Sequence, residues 1–229
     1  MFRETCPLCM TSGAAPFHKG GKTSGYRDFL RCGECDLVFV PRAQMLDAAG
    51  QKARYLQHNN DVDDPAYREF LGRMYYSLRP HLSAGARGLD YGCGPGPALQ
   101  HMMIEDGFDV DVYDIYFYPD ETVLQKTYDF VTCTETVEHF EDPRGELDRI
   151  DGLLHPGGWF GVMTGMLESW DDFPAWYYHR DPTHVNFFSR DTMRWIVERL
   201  GWHAHFPREN VALFQKRGYS DTTASLKRI

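Results

Sequence analysis

The sequence predicts an α/β fold, in which a mostly parallel sheet is covered by helices and preceded by a small cysteine-rich unit. From residue 87 onward, short apolar segments of strand character alternate with helical ones, and turns containing glycine or proline separate them. At the other end of the chain, four of the six cysteines lie in two pairs within the first 35 residues. The length of 229 residues suits one large domain, or one ordinary domain with a small appendage.

Residues 1–43 form the first predicted unit, with a cysteine pair near each end. A segment this short cannot bury enough apolar surface to fold alone, and a bound metal would supply the missing stability. In a reducing compartment, paired CxxC motifs indicate metal binding before disulfides. Four thiolates around Zn²⁺ leave no open coordination position, so we expect a structural zinc ribbon. The predicted ligands are Cys6, Cys9, Cys32 and Cys35. A redox role is the weaker alternative, because redox CxxC motifs occur singly.

Residues 44–64 are polar and acidic, which predicts a linker, and residues 65–229 form the main predicted domain. Its first helix covers residues 65–82, where apolar residues recur at spacings of three and four and Pro80 stops or kinks the helix. Ser189 and Gly201 have the residue types that begin and end a later helix. The other predicted elements are strands at 89–91, 110–113, 128–134 and 159–164, helices at 97–105, 143–154 and 190–200, and a C-terminal antiparallel hairpin of 202–206 with 211–215.

A glycine-rich loop follows the first strand of the main domain. It reads Asp90-Tyr91-Gly92-Cys93-Gly94-Pro95-Gly96 and opens a helix. Glycines there permit a tight turn and a close approach of the backbone to a ligand. Asp114 ends the next strand about 20 residues later, which is where an α/β nucleotide site holds ribose hydroxyls. These residues predict a nucleotide-type site at the carboxyl ends of parallel strands.

Several motifs in order resemble the class I S-adenosylmethionine-dependent methyltransferases, and most closely their type 12-like group. The motifs are the glycine loop, Val112-Tyr113-Asp114, Tyr128-Asp129-Phe130-Val131 with Glu135-Thr136-Val137-Glu138-His139-Phe140, and Leu154-His155-Pro156-Gly157-Gly158. The resemblance covers roughly residues 66–216 and implies a Rossmann-like sheet with S-adenosylmethionine as the cofactor. It is specific for the cofactor and the reaction class, and unspecific for the acceptor.

The resemblance also implies a role for each matching residue. The backbone of Gly92 and Gly94 would face the methionine end of the cofactor, and Asp90 would orient the loop and the methionine amino group. Asp114 would accept both ribose hydroxyls, and Ile115 would pack beside the adenine. The residues at the mouth of the pocket would be Thr134 and Glu135. The family usually has a helix and a third strand between Asp114 and the next strand, whereas only residues 115–127 are available here.

Two histidines are the candidates for chemistry at the acceptor. An oxygen or carbon acceptor usually needs a base, and histidine is the usual choice near neutral pH. His139 follows the fourth strand at the expected methyl-transfer edge, and a packing or capping role is its alternative. His184 lies in residues 168–188, an aromatic-rich insertion that resembles the acceptor wall of related methyltransferases. The alternative for this insertion is a large loop that its aromatic residues anchor to the sheet.

The sequence therefore predicts a methyltransferase that acts on oxygen or carbon of a small molecule. The net charge of −9 argues against a nucleic-acid partner, although an RNA methyltransferase that docks through the ribbon stays an alternative. The predicted ribbon resembles the N-terminal zinc modules of sugar C-methyltransferases and of ribosomal RNA guanine methyltransferases. A scaffold that binds the cofactor without turnover is a further alternative. We expect a cytoplasmic protein without a membrane span, and monomer and dimer both stay open.

Overall fold

The computed structural model describes residues 4–57 and 60–218, so the outermost ends of the predicted domains lie outside the described residues. The helices are α1 (Ala48–Tyr55), α2 (Pro65–Leu78), α3 (Ala98–Glu105), α4 (Pro143–Leu153) and α5 (Arg190–Leu200). The strands are β1 (Ala15–Lys19), β2 (Asp28–Arg31), β3 (Val38–Phe39), β4 (Arg87–Tyr91), β5 (Asp109–Tyr113), β6 (Tyr128–Thr134), β7 (Leu154–Met163), β8 (Met166–Leu167), β9 (Asn186–Ser189), β10 (His203–Arg208) and β11 (Val211–Gln215).

A six-stranded sheet in the order β10-β11-β7-β6-β4-β5 forms the centre of the main domain. Strands β5, β4, β6 and β7 run parallel, and the hairpin of β10 and β11 joins antiparallel to β7. Parallel strands need crossover connections, and α3 supplies the one from β4 to β5 and α4 the one from β6 to β7. The mixed α/β class, the Rossmann-like parallel sheet and the C-terminal hairpin are therefore confirmed.

Helices cover both faces of this sheet. On one face, Met74 of α2 and Met103 of α3 pack with Phe130 of β6. On the other face, Ile150 of α4 and Ile196 of α5 belong to a second apolar cluster around β6 and β7. Alternate residues of one strand point to opposite faces, so both layers bury apolar side chains of the same strands.

The N-terminal segment belongs to a second sheet, in the order β1-β2-β3-β9-β8. Strand β3 pairs antiparallel with β9, with Val38 opposite Phe187 and Phe39 opposite Asn186. Strands β8 and β9 come from the part of the chain that follows β7, so this sheet joins segments about 150 residues apart. The boundaries at 43 and 64 stay a prediction. Strand pairing nevertheless joins residues 1–43 to the main predicted domain, residues 65–229.

Two connections differ from their sequence-based expectations. The predicted linker contains α1, whose N-cap Asp47 accepts a hydrogen bond from the Gly50 amide at 2.8 Å. Residues 115–127, where the sequence leaves room for a reduced helix or third strand, form neither. They contain a turn closed by the bridge between Asp114 and Tyr118 and a 3₁₀ helix at Glu121–Gln125. Strand β5 therefore lies at the edge of its sheet.

No helix in the described ranges combines the length and the apolar composition that crossing a membrane requires.

Candidate functional site

A cavity of about 1340 Å³ opens at the carboxyl ends of β4, β5 and β6. Most of the sequence-predicted site residues line it together, although they come from separate parts of the chain. These residues are Gly92, Gly94, Asp114, Ile115, Thr134, Glu135, His139 and His184. Because the carboxyl ends of parallel strands share one edge of the sheet, the fold brings these motifs together. Asp90 is the exception, because it does not line the cavity.

The glycine loop forms one wall of this cavity. Gly92 and Gly94 have φ angles of 79° and 67°, in the left-handed region that favours glycine. A Cβ atom at Gly92 would lie 2.1 Å from Cγ2 of Thr136, so the close approach of the two loops also requires glycine. The wall therefore presents backbone rather than side chains to the space in front of it.

Asp114 connects the glycine loop to the turn after β5. Its carboxylate accepts hydrogen bonds from the amides of Gly94 at 3.0 Å, Tyr116 at 2.8 Å and Phe117 at 3.1 Å. A carboxylate offers about four lone-pair positions, so one acceptor position remains for a further donor. The side chain of Ile115 is 68% exposed beside it. Asp114 thus organises the local backbone and keeps acceptor capacity at the cavity.

Asp90 lies beneath the glycine loop. Its Oδ1 accepts a hydrogen bond from the Thr132 hydroxyl at 2.8 Å, and its side chain is almost fully buried. Burial raises the pKa of Asp90 to about 7. This position fits an orienting role for the loop, but it places the carboxyl behind the cavity wall.

His139 and His184 form part of the opposite wall, with ring centroids 4.8 Å apart. Nδ1 of His139 lies 3.0 Å from the Thr183 carbonyl oxygen, and Nδ1 of His184 lies 2.8 Å from the Tyr178 carbonyl oxygen. A carbonyl only accepts, so Nδ1 carries the proton in both rings, and Nε2 of a neutral ring is an acceptor. Burial, together with neighbouring His139, lowers the pKa of His184 to about 4. His184 is therefore neutral at pH 7.

A buried hydrogen-bond network adjoins the histidines, and two of its members, Glu135 and Tyr178, also line the cavity. The Tyr178 hydroxyl donates to Glu138 and lies 3.1 Å from Oε2 of Glu135, and the Thr164 hydroxyl donates to Glu138 at 2.9 Å. Burial, followed by the nearby Glu138 carboxylate, raises the pKa of Glu135 to about 9. Glu135 is therefore protonated at neutral pH. It also has a φ angle of 49°, an uncommon conformation for a residue other than glycine.

Glu138, His139 and His184 also offer ligand atoms that lie within 4.8 Å of one another. Both carboxylate oxygens of Glu138 already accept hydroxyl hydrogen bonds, and Glu138 does not line the cavity. The geometry therefore describes a hydrogen-bond network, and we assign no metal to these three residues.

The four paired cysteines lie together in the N-terminal segment. Sγ of Cys6 is 3.5 Å from that of Cys35, Sγ of Cys9 is 3.4 Å from that of Cys32, and all four sulfurs lie within 4.8 Å of one another. A tetrahedral Zn²⁺ with Zn–S bonds of about 2.3 Å separates its sulfurs by roughly 3.8 Å. The cluster thus has the ligand set and the approximate spacing of a closed zinc site.

Helix α1 contributes cavity residues from the segment that the sequence predicts to be a linker. Arg54 makes an ion pair with Asp181 at 2.7 Å, and the ring of Tyr55 lies 5.2 Å from that of His139. Burial alone would raise the pKa of Asp181, but hydrogen bonds from Arg54 and Thr183 outweigh it and hold that pKa well below its usual range. The local sequence signal for this helix is Asp47, a residue type that is typical of a helix N-cap.

Comparisons with known proteins agree with this geometry. The profile of a family described as "Methyltransferase domain" matches residues 63–205. A ubiquinone biosynthesis O-methyltransferase from Erwinia tasmaniensis is 32% identical over 95 residues, which are 38% of this chain and 37% of that protein. Its counterpart from Burkholderia vietnamiensis is 30% identical over 118 residues, 39% of this chain and 49% of that protein. The matches thus span half or less of these relatives.

Two solved methyltransferase structures are similar to this chain at low identity and with TM-scores below 0.5. One is a Burkholderia thailandensis 1,6-didemethyltoxoflavin-N1-methyltransferase with bound 1,6-didemethyltoxoflavin and S-adenosylhomocysteine. It has a TM-score of 0.48 and 16% identity over 82% of this chain and 98% of that chain. A SAM-dependent methyltransferase from Archaeoglobus fulgidus has a TM-score of 0.48 and 20% identity over 69% and 75% of the two chains.

Proposed function

Because the chain belongs to the family of methyltransferase domains, we propose that it transfers the methyl group of S-adenosylmethionine to oxygen or carbon of a small molecule. The observation that carries this proposal is the shared cavity, which has the glycine loop and Asp114 on one side and a pair of histidines on the other. Its volume of about 1340 Å³ suits a cofactor and a small acceptor side by side.

The residues of the glycine-loop wall fit the cofactor. S-adenosylmethionine, when bound, supplies a methyl group on a sulfonium. We assign the methionine end to the backbone of Gly92 and Gly94, and one ribose hydroxyl to the remaining acceptor position of Asp114; a second hydroxyl would have to displace one of the amides that Asp114 now binds. Ile115 offers an exposed apolar side chain to the adenine. We assign the mouth of the pocket to Thr134 and Glu135, while Asp90 precedes the loop, binds the Thr132 hydroxyl and does not line the cavity.

The histidines suit the removal of a proton from the acceptor. His184 and His139 each hold a proton on Nδ1 against a backbone carbonyl, so Nε2 is the atom that can take the proton that the acceptor oxygen or carbon loses. Burial keeps His184 neutral at the pH where a base is needed. The curated relatives are named O-methyltransferases, which favours oxygen as the methylated atom.

For the cysteine cluster we propose a structural Zn²⁺ bound by Cys6, Cys9, Cys32 and Cys35. Four thiolates fill a tetrahedron and leave no position for a substrate or water. Strand β3, which follows the last of these ligands, pairs with β9 next to the histidine wall. This pairing supports a wall-building role over the alternative of RNA docking, which a salt-dependent gel shift with structured RNA would instead favour.

Calorimetric titration with S-adenosylhomocysteine tests the proposed function. The wild type is expected to bind in the micromolar range, and Asp114→Ala to lose at least about tenfold in affinity, since hydrogen bonds to a charged group contribute about 1.5–3 kcal/mol each. Asp109→Ala is the matched control, because Asp109 is exposed at the far end of the same strand, and it should bind like the wild type.

Absence of binding by folded wild-type protein would contradict the proposal. Binding by the wild type without methyl transfer to any of a panel of hydroxylated and carbon acceptors would favour the scaffold alternative instead.

A further inference from the structure

The side chain of Arg27 is buried at the junction of the two parts of the second sheet. It directly precedes β2 in the N-terminal segment, and only 7% of its surface is exposed. All five of its N–H donors have a backbone carbonyl as acceptor. Nη2 donates to His179 at 2.8 Å and Asp181 at 2.7 Å, Nη1 to Pro182 at 3.1 Å and His184 at 2.9 Å, and Nε to Ser24 at 3.1 Å.

Four of these acceptors belong to one short stretch, residues 179–184, which we call the histidine loop. A buried guanidinium needs compensation for its lost hydration, and here carbonyl dipoles supply most of it. Burial lowers the pKa of Arg27 to about 10, so the side chain is still a cation at neutral pH. Four carbonyls can point at one guanidinium only in a restricted set of backbone conformations. Arg27 therefore fixes the shape of the histidine loop.

Both histidines of the cavity depend on that shape. His184 is part of the loop, and Nδ1 of His139 lies 3.0 Å from the Thr183 carbonyl oxygen. The loop is also held from the cavity side, where Asp181 pairs with Arg54 of α1. Moving the loop would change the proton position and the orientation of both rings, since Nδ1 of each ring is held by a backbone carbonyl.

A second contact ties the N-terminal segment to the same region. Asp36, next to Cys35, accepts hydrogen bonds from the Trp170 indole at 2.8 Å and from the Ser189 hydroxyl. Trp170 and Ser189 flank the part of the chain that contains the histidine loop. Arg27 and Asp36 are thus two anchors that join the N-terminal segment to residues 170–189 as one packed unit.

We propose that Arg27 is a positioning residue of the histidine wall, the side of the cavity that contains His139 and His184. The Arg27 guanidinium holds the histidine loop so that both rings present Nε2 to the cavity. What Nε2 does there rests on the proposed function, whereas the positioning itself does not. The groups that act on His184 are His139, Glu138 and Asp181 by charge, and Tyr178 through its carbonyl.

Nuclear magnetic resonance of histidine-labelled full-length protein tests this proposal without an acceptor. Long-range ¹H–¹⁵N spectra report the tautomer of each ring, and a pH titration reports its pKa. In the wild type, His184 should hold its proton on Nδ1 and stay neutral to about pH 5, given its pKa of about 4. The variants are Arg27→Lys, which keeps the charge without the planar fork, and Arg27→Met, which removes both.

In Arg27→Lys, the His184 pKa should rise by about one unit or more toward 6.5 and its tautomers should mix, because a looser loop admits water. Arg27→Met should show a larger change, and if it does not fold, Arg27→Lys decides. Arg194→Met, on an exposed arginine of α5, is the control and should leave both rings unchanged.

Folded Arg27→Lys with wild-type histidine tautomers and pKa values would overturn the proposal. S-adenosylhomocysteine binding, measured on the same samples, should stay within about twofold of the wild type. A wild type that binds no S-adenosylhomocysteine would contradict the proposed function and leave the histidine result interpretable, so the two failures are distinguishable.

Discussion

The two walls of the cavity are built in different ways. The glycine-loop wall comes from consecutive strand ends of one parallel sheet, within residues 92–136. The histidine wall draws on α1 and on the histidine loop, which Arg27 holds from 152 to 157 residues away in the chain. The first wall depends on local backbone geometry and the second on long-range packing. A substitution that disrupts one wall should therefore leave the other wall intact.

The largest expected effect is that of removing a cysteine ligand. The wild type should contain about one zinc per chain, and Cys32→Ser should abolish this binding. The variant should also have a strongly lowered melting temperature, since zinc contributes roughly 10 kcal/mol to the folding of small zinc units. Affinity for S-adenosylhomocysteine should stay within about threefold of the wild type, because the glycine-loop wall does not include the cluster. Metal analysis, thermal unfolding and calorimetry on one sample measure all three.

Cys133→Ala is the control for this variant. Cys133 is a buried cysteine outside the cluster, so the variant should keep its zinc. Wild-type protein that contains no zinc when purified from zinc-supplied medium would contradict the assignment of the cluster.

A smaller effect, confined to the other wall, is expected from Gly92→Ala. Alanine in the left-handed region costs about 1–2 kcal/mol, and at this position its Cβ also meets Thr136 at 2.1 Å. One of the two loops must move, so affinity for S-adenosylhomocysteine should fall on the order of tenfold while the zinc content is unchanged.

Gly85→Ala provides a matched control, because Gly85 has a φ angle of 72° but a Cβ added there would meet no atom within 4 Å. It should share the backbone cost in unfolding experiments and keep wild-type affinity. Equal affinity losses in both variants would show that strain, and not the close approach of the loops, is responsible.

The sequence named residues of both walls, but it did not indicate the contacts that hold the histidine wall, for physical reasons. Strand periodicity, glycine spacing and the position of Asp114 are local features, and the parallel sheet converts them directly into a shared edge. Arg27 has no local feature of this kind, because its acceptors are backbone carbonyls that any residue type provides. The pairing of β3 with β9 and the contribution of α1 are likewise decided by tertiary packing.

The third expected effect is a pH dependence from the buried hydrogen-bond network beside the histidines. Burial raises the pKa of Glu135 from 4.5 to about 9, so the folded protein keeps a proton that the unfolded chain releases. The free energy of unfolding should therefore fall as pH rises through this window. His184, whose pKa is lowered, affects the free energy of unfolding in the opposite direction. That contribution no longer changes with pH above about 6.5.

Urea unfolding at pH 6.5 and pH 8.5 measures this dependence. Glu135→Gln keeps the shape without the ionisation, so it should lose less stability between the two pH values than the wild type. Glu121→Gln, at an exposed glutamate of the 3₁₀ helix after β5, should keep the wild-type difference. The same loss in Glu135→Gln as in the wild type would show that Glu135 is ionised in the folded protein.

A crystal structure with S-adenosylhomocysteine tests the division of the cavity most directly. The account predicts the ligand against the backbone of Gly92 and Gly94, its ribose hydroxyls at Asp114, and its sulfur turned toward His139 and His184. A ligand bound on the histidine wall, or one whose sulfur faces away from both rings, would contradict it.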